Sequence, residues 1–148
     1  MQPVNRMKVE FSSLPANVAF ARVAAAAFAS QLDFTLNDLE EIKVAVSEAV
    51  ANAIVHGYEN RTDQTVTLTV EIKKDTLSIT VEDRGRGIED IEKALQPAYS
   101  TDPDRMGLGF AFMHSFSDSL QVDSKPNSGT RVTMTKRCTR QISSRQGH

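Results

Sequence analysis

Two strictly alternating stretches constrain this chain most. Residues 65–72 read Thr-Val-Thr-Leu-Thr-Val-Glu-Ile and residues 77–82 read Leu-Ser-Ile-Thr-Val-Glu, with an apolar side chain at every second position. Successive side chains of a strand point to opposite faces, so each stretch carries one apolar and one polar face. Lys73-Lys74-Asp75 between them reads as a turn. The pair is therefore an antiparallel hairpin with one buried face. Residues 120–124 and 130–136 predict a second hairpin across Pro126-Asn127-Ser128-Gly129, and residues 7–12 a further short strand.

The first third of the chain has a helical period instead. Pro15 opens a helix through about Leu32, with Val18, Phe20, Ala21, Ala24, Ala25 and Phe28 recurring along it. Thr35 is a good N-cap for a second helix, with Asp38 three residues later in the place of a capping-box acid. That helix turns Leu39, Ile42, Val46, Ala49, Val50 and Ala53 toward a core and stops at Gly57. A short helix is expected over residues 88–94, a polar loop over 96–105 and another helix over 107–117. Helices and hairpin-linked strands without regular strand-helix-strand alternation make an α+β layer sandwich. At 148 residues the chain forms one domain, residues 1–137, and the apolar-poor stretch 138–148 is expected to be a disordered tail.

Composition narrows the partners. A formal net charge of -2 gives no basic surface for nucleic acid. Cys138 is the single cysteine, so no internal disulfide is expected and a reducing cytoplasm fits. The longest apolar run, residues 23–29, is mostly alanine and falls short of the roughly 20 residues a membrane span needs.

Chemistry is suggested by an ordered set of motifs. Glu48 and Asn52 are four residues apart on one helical face, about 6 Å along the axis. An Asn oxygen can ligate Mg²⁺ when phosphates supply most of the shell, and a Glu one turn away can accept a proton from an attacking hydroxyl. Taken alone, such a pair is more often a solvated polar face. His56 extends that face, where a helix-end His serves the dipole more often than a ligand. Asp83-Arg84-Gly85-Arg86-Gly87 ends a strand. There a carboxylate can accept from an exocyclic amine such as adenine N6, while Gly85 and Gly87 let a flat ring approach. An Asp-x-Gly turn is otherwise ordinary. Gly107-Leu108-Gly109 at a helix entrance offers open N–H groups for phosphate, and Arg105 just before it could clamp a terminal phosphate. No P-loop pattern is present. Arg22, in an alanine- and phenylalanine-rich helix, is a snorkelling surface residue or a partner contact.

These motifs resemble those of the GHKL ATPases, the superfamily of histidine kinases and DNA gyrase, and the text around them resembles the anti-sigma F factor family. The matching stretches are Phe20-Ala21-Arg22-Val23, Glu41-Ile42-Lys43, Val46-Ser47-Glu48-Ala49-Val50, Asn52-Ala53-Ile54, His56-Gly57-Tyr58, Asp83 to Ile88 and Gly107-Leu108-Gly109-Phe110. The resemblance implies a two-layer α/β sandwich of the Bergerat type, with a mixed, mostly antiparallel sheet and helices on one face. It implies a homodimer that binds ATP or ADP with Mg²⁺, binds sigma F, and phosphorylates a serine of an anti-anti-sigma protein. In that frame Glu48 is the base, Asn52 the Mg²⁺ ligand, and Asp83 the adenine acceptor, with Gly85, Gly87 and Thr130 shaping its pocket. Arg105, Gly107 and Gly109 handle phosphates from a lid, and Arg22 contacts the partners. The lid is shorter than the family pattern and carries Ser100-Thr101-Asp102-Pro103 where Thr-Thr-Lys-Pro is common.

Three other readings stand beside this one. The chain could be an ATP-shaped sigma antagonist with little kinase activity, or the related sigma-B type switch kinase. A sensor histidine kinase is the weakest reading, because no phosphoacceptor helix pair precedes the motifs.

Overall fold

The computed structural model of the chain describes residues 3–95 and 106–139. In chain order the elements are β1 (Val4–Ser12), α1 (Asn17–Ala29), α2 (Leu36–Asn52), β2 (Thr65–Lys73), β3 (Thr76–Asp83), α3 (Ile91–Ala94), α4 (Met106–Phe116), β4 (Ser119–Lys125) and β5 (Gly129–Arg137). The five strands form one open sheet in the order β1-β2-β3-β5-β4. All four pairings are antiparallel, where the resemblance had implied a mixed sheet.

The register explains the single core. Leu68 stands opposite Val9 on one side and Val81 on the other. Val81 faces Val132, which faces Val122 in turn. One apolar row thus crosses every strand, and α1, α2 and α4 pack on that side. The opposite face is polar, with Thr80 and Thr133 hydroxyls 3.4 Å apart. Leu68, Val70, Leu77, Ile79 and Met134 are almost wholly buried, each contributing roughly 1.5–3 kcal/mol by leaving water.

Local chemistry sets the helix ends. Thr35 Oγ1 accepts from the Asp38 N–H at 2.8 Å and the Asp38 carboxylate accepts from the Thr35 N–H at 3.0 Å, a complete capping box. On α1 the buried residues are Ala21, Ala25, Ala26 and Ala29, small enough to let α2 approach closely. Beyond Asn52 the helix widens into a π-helical turn over Ala53–Gly57, in which the Tyr58 N–H donates to Ala53 O at 2.9 Å. The predicted stop at Gly57 is therefore reached through a π turn, a form that recurs at functional sites.

Several boundaries differ from the sequence expectation: β1 begins at Val4 rather than residue 7, α1 is Asn17–Ala29 rather than Pro15 to about Leu32, and two further shifts have a visible cause. The short helix begins at Ile91 rather than residue 88, because Gly87 takes φ +76° and the Ile88 N–H is drawn to Ser124 Oγ, leaving Asp90 to cap the turn. The predicted tail boundary also shifts. Arg137 closes β5, and Cys138 is buried with its N–H donating to Asp75 O at 2.7 Å, so the fold runs past residue 137. Residues 140–148 and the predicted loop 96–105, Arg105 included, lie outside the described residues.

Candidate functional site

Asp83 ends β3 among the buried residues. Its Oδ1 accepts from the Gly85 N–H at 2.9 Å, and the Thr130 backbone N–H also serves the carboxylate. Burial outweighs those two donors and pushes the Asp83 carboxyl up to about 6, so at neutral pH it is a buried anion with unspent acceptor capacity.

Four glycines make this burial possible. A Cβ on Gly57 would lie 2.7 Å from the Asp83 carboxylate, and one on Gly85 would lie 1.9 Å from Gly57 O. Gly129, at φ +90°, presses its backbone against Asp83 O, and Gly87 presses against Lys125 O. The π turn and the 84–87 loop are laced together by hydrogen bonds. The Arg86 N–H donates to Gly57 O at 2.9 Å, and Arg86 Nε donates to His56 O at 2.8 Å. Behind the carboxylate, the buried Tyr58 hydroxyl accepts from the Arg84 N–H at 2.7 Å and donates to Thr65 O at 2.6 Å. Burial raises the phenol's pKa, and the nearby Asp83 charge adds to the effect.

Glu48 and Asn52 line up on α2 as the spacing predicted. Gly109, in the first turns of α4, is where α4 meets them: a Cβ there would lie 2.8 Å from Glu48 Oε1 and 3.5 Å from Asn52 Nδ2. Gly109 therefore leaves room for the carboxylate and the amide rather than simply exposing an N–H. Gly107 falls in the first turn of α4. Asn52, His56, Asp83, Ile88, Phe110 and Thr130 are among the residues lining one shared cavity. Its interior is about 20 Å³, room for a water. Arg22 is exposed on α1 and lines none of this cavity.

The donor set fits an adenine nucleotide with a divalent cation. Asp83 offers an anionic acceptor to an exocyclic amine, and the glycines bring backbone against the cavity in place of side chains. Asn52 Nδ2 is buried without a hydrogen-bond partner. An orphaned amide costs roughly 1–3 kcal/mol and points to a partner supplied from outside the chain. Rotating that amide exchanges its donor for a carbonyl oxygen, the atom Mg²⁺ takes. Among the described residues no group of three His, Cys, Asp or Glu side chains could hold a metal alone. A cation here would thus rely on phosphate oxygens with Asn52.

Of the residues that sequence reasoning picked out, Asn52, Asp83, Gly87 and Thr130 line this cavity, Gly85 packs on Gly57 beside it, and Glu48 and Gly109 meet next to Asn52 without lining it. That reasoning gave no role in the site to Gly57, Tyr58, Phe110, Ser124 or Gly129, although the His56-Gly57-Tyr58 and Gly107-Leu108-Gly109-Phe110 phrases and the Gly129-Thr130 pair contain all of them but Ser124.

Comparison with known proteins agrees with this architecture. The family described as the histidine kinase-like ATPase domain matches residues 11–136. The chain is 49% identical over 135 residues to the anti-sigma F factor of Clostridium beijerinckii, covering 90% of the chain and 94% of the relative. It is 52% identical over 134 residues to that of Clostridium kluyveri, covering 89% and 94%. Among solved structures, the RsbU and RsbW domains of a Mycobacterium tuberculosis protein superpose with a TM-score of 0.65 at 18% identity, covering 91% of this chain and 32% of that one. The histidine kinase domain of a blue-light activated kinase from Erythrobacter litoralis gives 0.58 at 22% identity, covering 87% and 63%. The matches to those two chains speak for the fold alone. With its buried aspartate, its glycine-lined cavity and these relatives, the chain belongs to the histidine kinase-like ATPases and, within them, to the anti-sigma F factor family.

Proposed function

We propose that this chain is an anti-sigma factor that binds and inhibits sporulation sigma F and, using ATP, phosphorylates a serine of its anti-anti-sigma factor. The reading is carried by one observation above the rest: the Glu48 carboxylate and the Asn52 amide meet beside Gly109, and Asn52 lines the same cavity as Asp83. Asp83 would hold adenine with Thr130 beside it, and Gly85 and Gly87 would keep its walls thin. Asn52 would hold Mg²⁺, which neutralises charge on the phosphates when bound. Arg105, just before α4 in sequence, and Gly107, in its first turn, would meet the phosphates.

The chemistry is in-line phosphoryl transfer. The acceptor serine Oγ forms a bond to the γ-phosphorus as the bond to the β–γ bridging oxygen breaks and ADP leaves. Glu48 takes the serine proton. Most of the acceleration comes from positioning and charge stabilisation. Arg22, exposed on α1, would contact sigma factor and anti-anti-sigma factor in turn. The same reading carries a homodimer working in the cytoplasm. It agrees with the finding that no described helix is long and apolar enough to cross a membrane.

The test is transfer of label from Mg-ATP to the anti-anti-sigma protein of the same organism, with Glu48→Gln alongside. Label on a partner serine that vanishes in the variant, with ATP binding retained, supports both kinase and base. ATP binding without label in the unmodified chain would instead support an ATP-shaped sigma antagonist. The shorter lid carrying Asp102 favours that second reading.

A further inference from the structure

α1 and α4 both pack on α2, and the face they leave open changes character halfway along the helix. Residues 38–43 carry four charged side chains, Asp38, Glu40, Glu41 and Lys43. Between Lys43 and His56 there is one, Glu48. Outward on that stretch stand Val44 and Val55, 44% and 36% exposed, with Ala51 half-buried between them. Valine is a poorer helix former than the alanine, lysine or glutamate usual on an exposed helix face. Neither valine belongs to the core or packs against it, so neither recovers that cost within the chain.

The two valines bracket the proposed base. Val44 is four residues before Glu48 and Val55 seven after it, on one stripe of the helix. That places them about 6 Å and about 10 Å from it along the axis. Asn52, which lines the cavity, and Gly109 of α4 lie on one flank of the half-buried Glu48, and Ala51 lies on the other. A hydroxyl that gives its proton to Glu48 has to come within hydrogen-bond reach of the carboxylate. Because α4 closes one flank, the chain that carries this hydroxyl lies over Val44, Ala51 and Val55.

We propose that Val44 and Val55 form a docking strip for the serine-bearing segment of the anti-anti-sigma partner, each gripping an apolar side chain to one side of the acceptor serine. The inference rests on the kinase reading above and adds the surface that selects the acceptor. Apolar area leaves water at both contacts, and the serine between them is held over the one charged group of the strip. In an extended segment running along α2, at about 3.3 Å per residue, the two apolar side chains fall about two residues to one side of the serine and about three to the other.

The experiment follows phosphate transfer from Mg-ATP to the anti-anti-sigma protein as the concentration of that protein is varied. It compares the full chain with Val44→Thr/Val55→Thr, in which each valine keeps its shape and exchanges a methyl for a hydroxyl. KM for the acceptor protein should rise about tenfold, while kcat and ATP affinity stay where they were, the signature of lost docking. Val44→Ile/Val55→Ile keeps the apolar strip and should keep the original KM. An unchanged KM in the threonine variant overturns the proposal. So does an equal fall in association with the sigma factor or in self-association, which would assign the strip to that partner or to a second copy of the chain. If the unmodified chain transfers no phosphate, the kinase reading fails separately, and direct titration of the acceptor protein onto the nucleotide-loaded chain tests the strip. A tenfold weaker affinity in the threonine variant then supports the docking, and equal affinities, or no binding at all, overturn it.

Discussion

Removing the charge of Asp83 should change how stability depends on pH, with a sign opposite to that of most surface carboxylates. Burial lifts this carboxyl to about 6, above the ordinary 3.8 of an aspartate in water. The folded state therefore binds a proton more tightly than the unfolded chain does, and the contribution of Asp83 to stability increases as pH falls through 6 toward 3.8. Between about pH 8 and pH 5 the gain from this one group is about 1.4 kcal/mol. At a urea dependence of about 2 kcal/mol per molar, that moves the midpoint up by about 0.7 M. Asp83→Asn keeps an oxygen for the Gly85 N–H and cannot titrate, so its midpoint should lack this increment. Every other ionisable group is common to the two proteins, so the difference between the two curves isolates Asp83. Nucleotide affinity should run the other way in the unmodified chain, since protonation removes the anionic acceptor as pH falls below 6. Urea unfolding of both proteins at the two pH values is the assay. Parallel pH dependences would refute the claim that Asp83 is held as a buried anion.

Tyr58→Phe leaves the Arg84 N–H without its acceptor and should cost about 1–3 kcal/mol, read as a lowered unfolding midpoint; an unchanged midpoint removes Tyr58 from its bridging role. Gly85→Ala drives a methyl into Gly57 O and should abolish nucleotide binding, as titration against ATP would show, whereas near-normal affinity would mean the loop relaxes freely. Arg22→Glu should weaken association with the sigma factor by at least tenfold in a pull-down or calorimetric titration while leaving ATP affinity unchanged. Equal sigma binding would return Arg22 to a solvated surface residue.

Elements governed by local chemistry were legible in the sequence. The Thr35–Asp38 capping box, the two hairpins and the shared face of Glu48 and Asn52 depend on residues within a few positions of one another. What escaped depends on distant contacts. The π turn at Ala53–Gly57 packs against Asp83 and is hydrogen-bonded to Arg86, neither of which its own sequence names. Tyr58 looks like a helix-end aromatic until its hydroxyl is found between Arg84 and Thr65. Ser124 occupies an ordinary inward position of an alternating strand, and only the fold reveals Ile88, Gly129 and Thr130 as its partners. Cys138 seemed part of a polar tail because its cover, Asp75, comes from another hairpin.

The order β1-β2-β3-β5-β4 also bears on how the molecule opens. β2–β3 and β4–β5 are local hairpins closed by tight turns, whereas β3 and β5 meet across α3, α4 and the residues between them. Long-range pairing of this kind is the slow part of assembling a sheet. Asp83 and Thr130 face each other on that very seam. A ligand held between them acts as a clasp on the two halves. At a hundredfold excess over its dissociation constant it adds about 2.7 kcal/mol against separation. The clasp should register along the whole β3–β5 ladder, as slowed hydrogen exchange at amides no nucleotide touches.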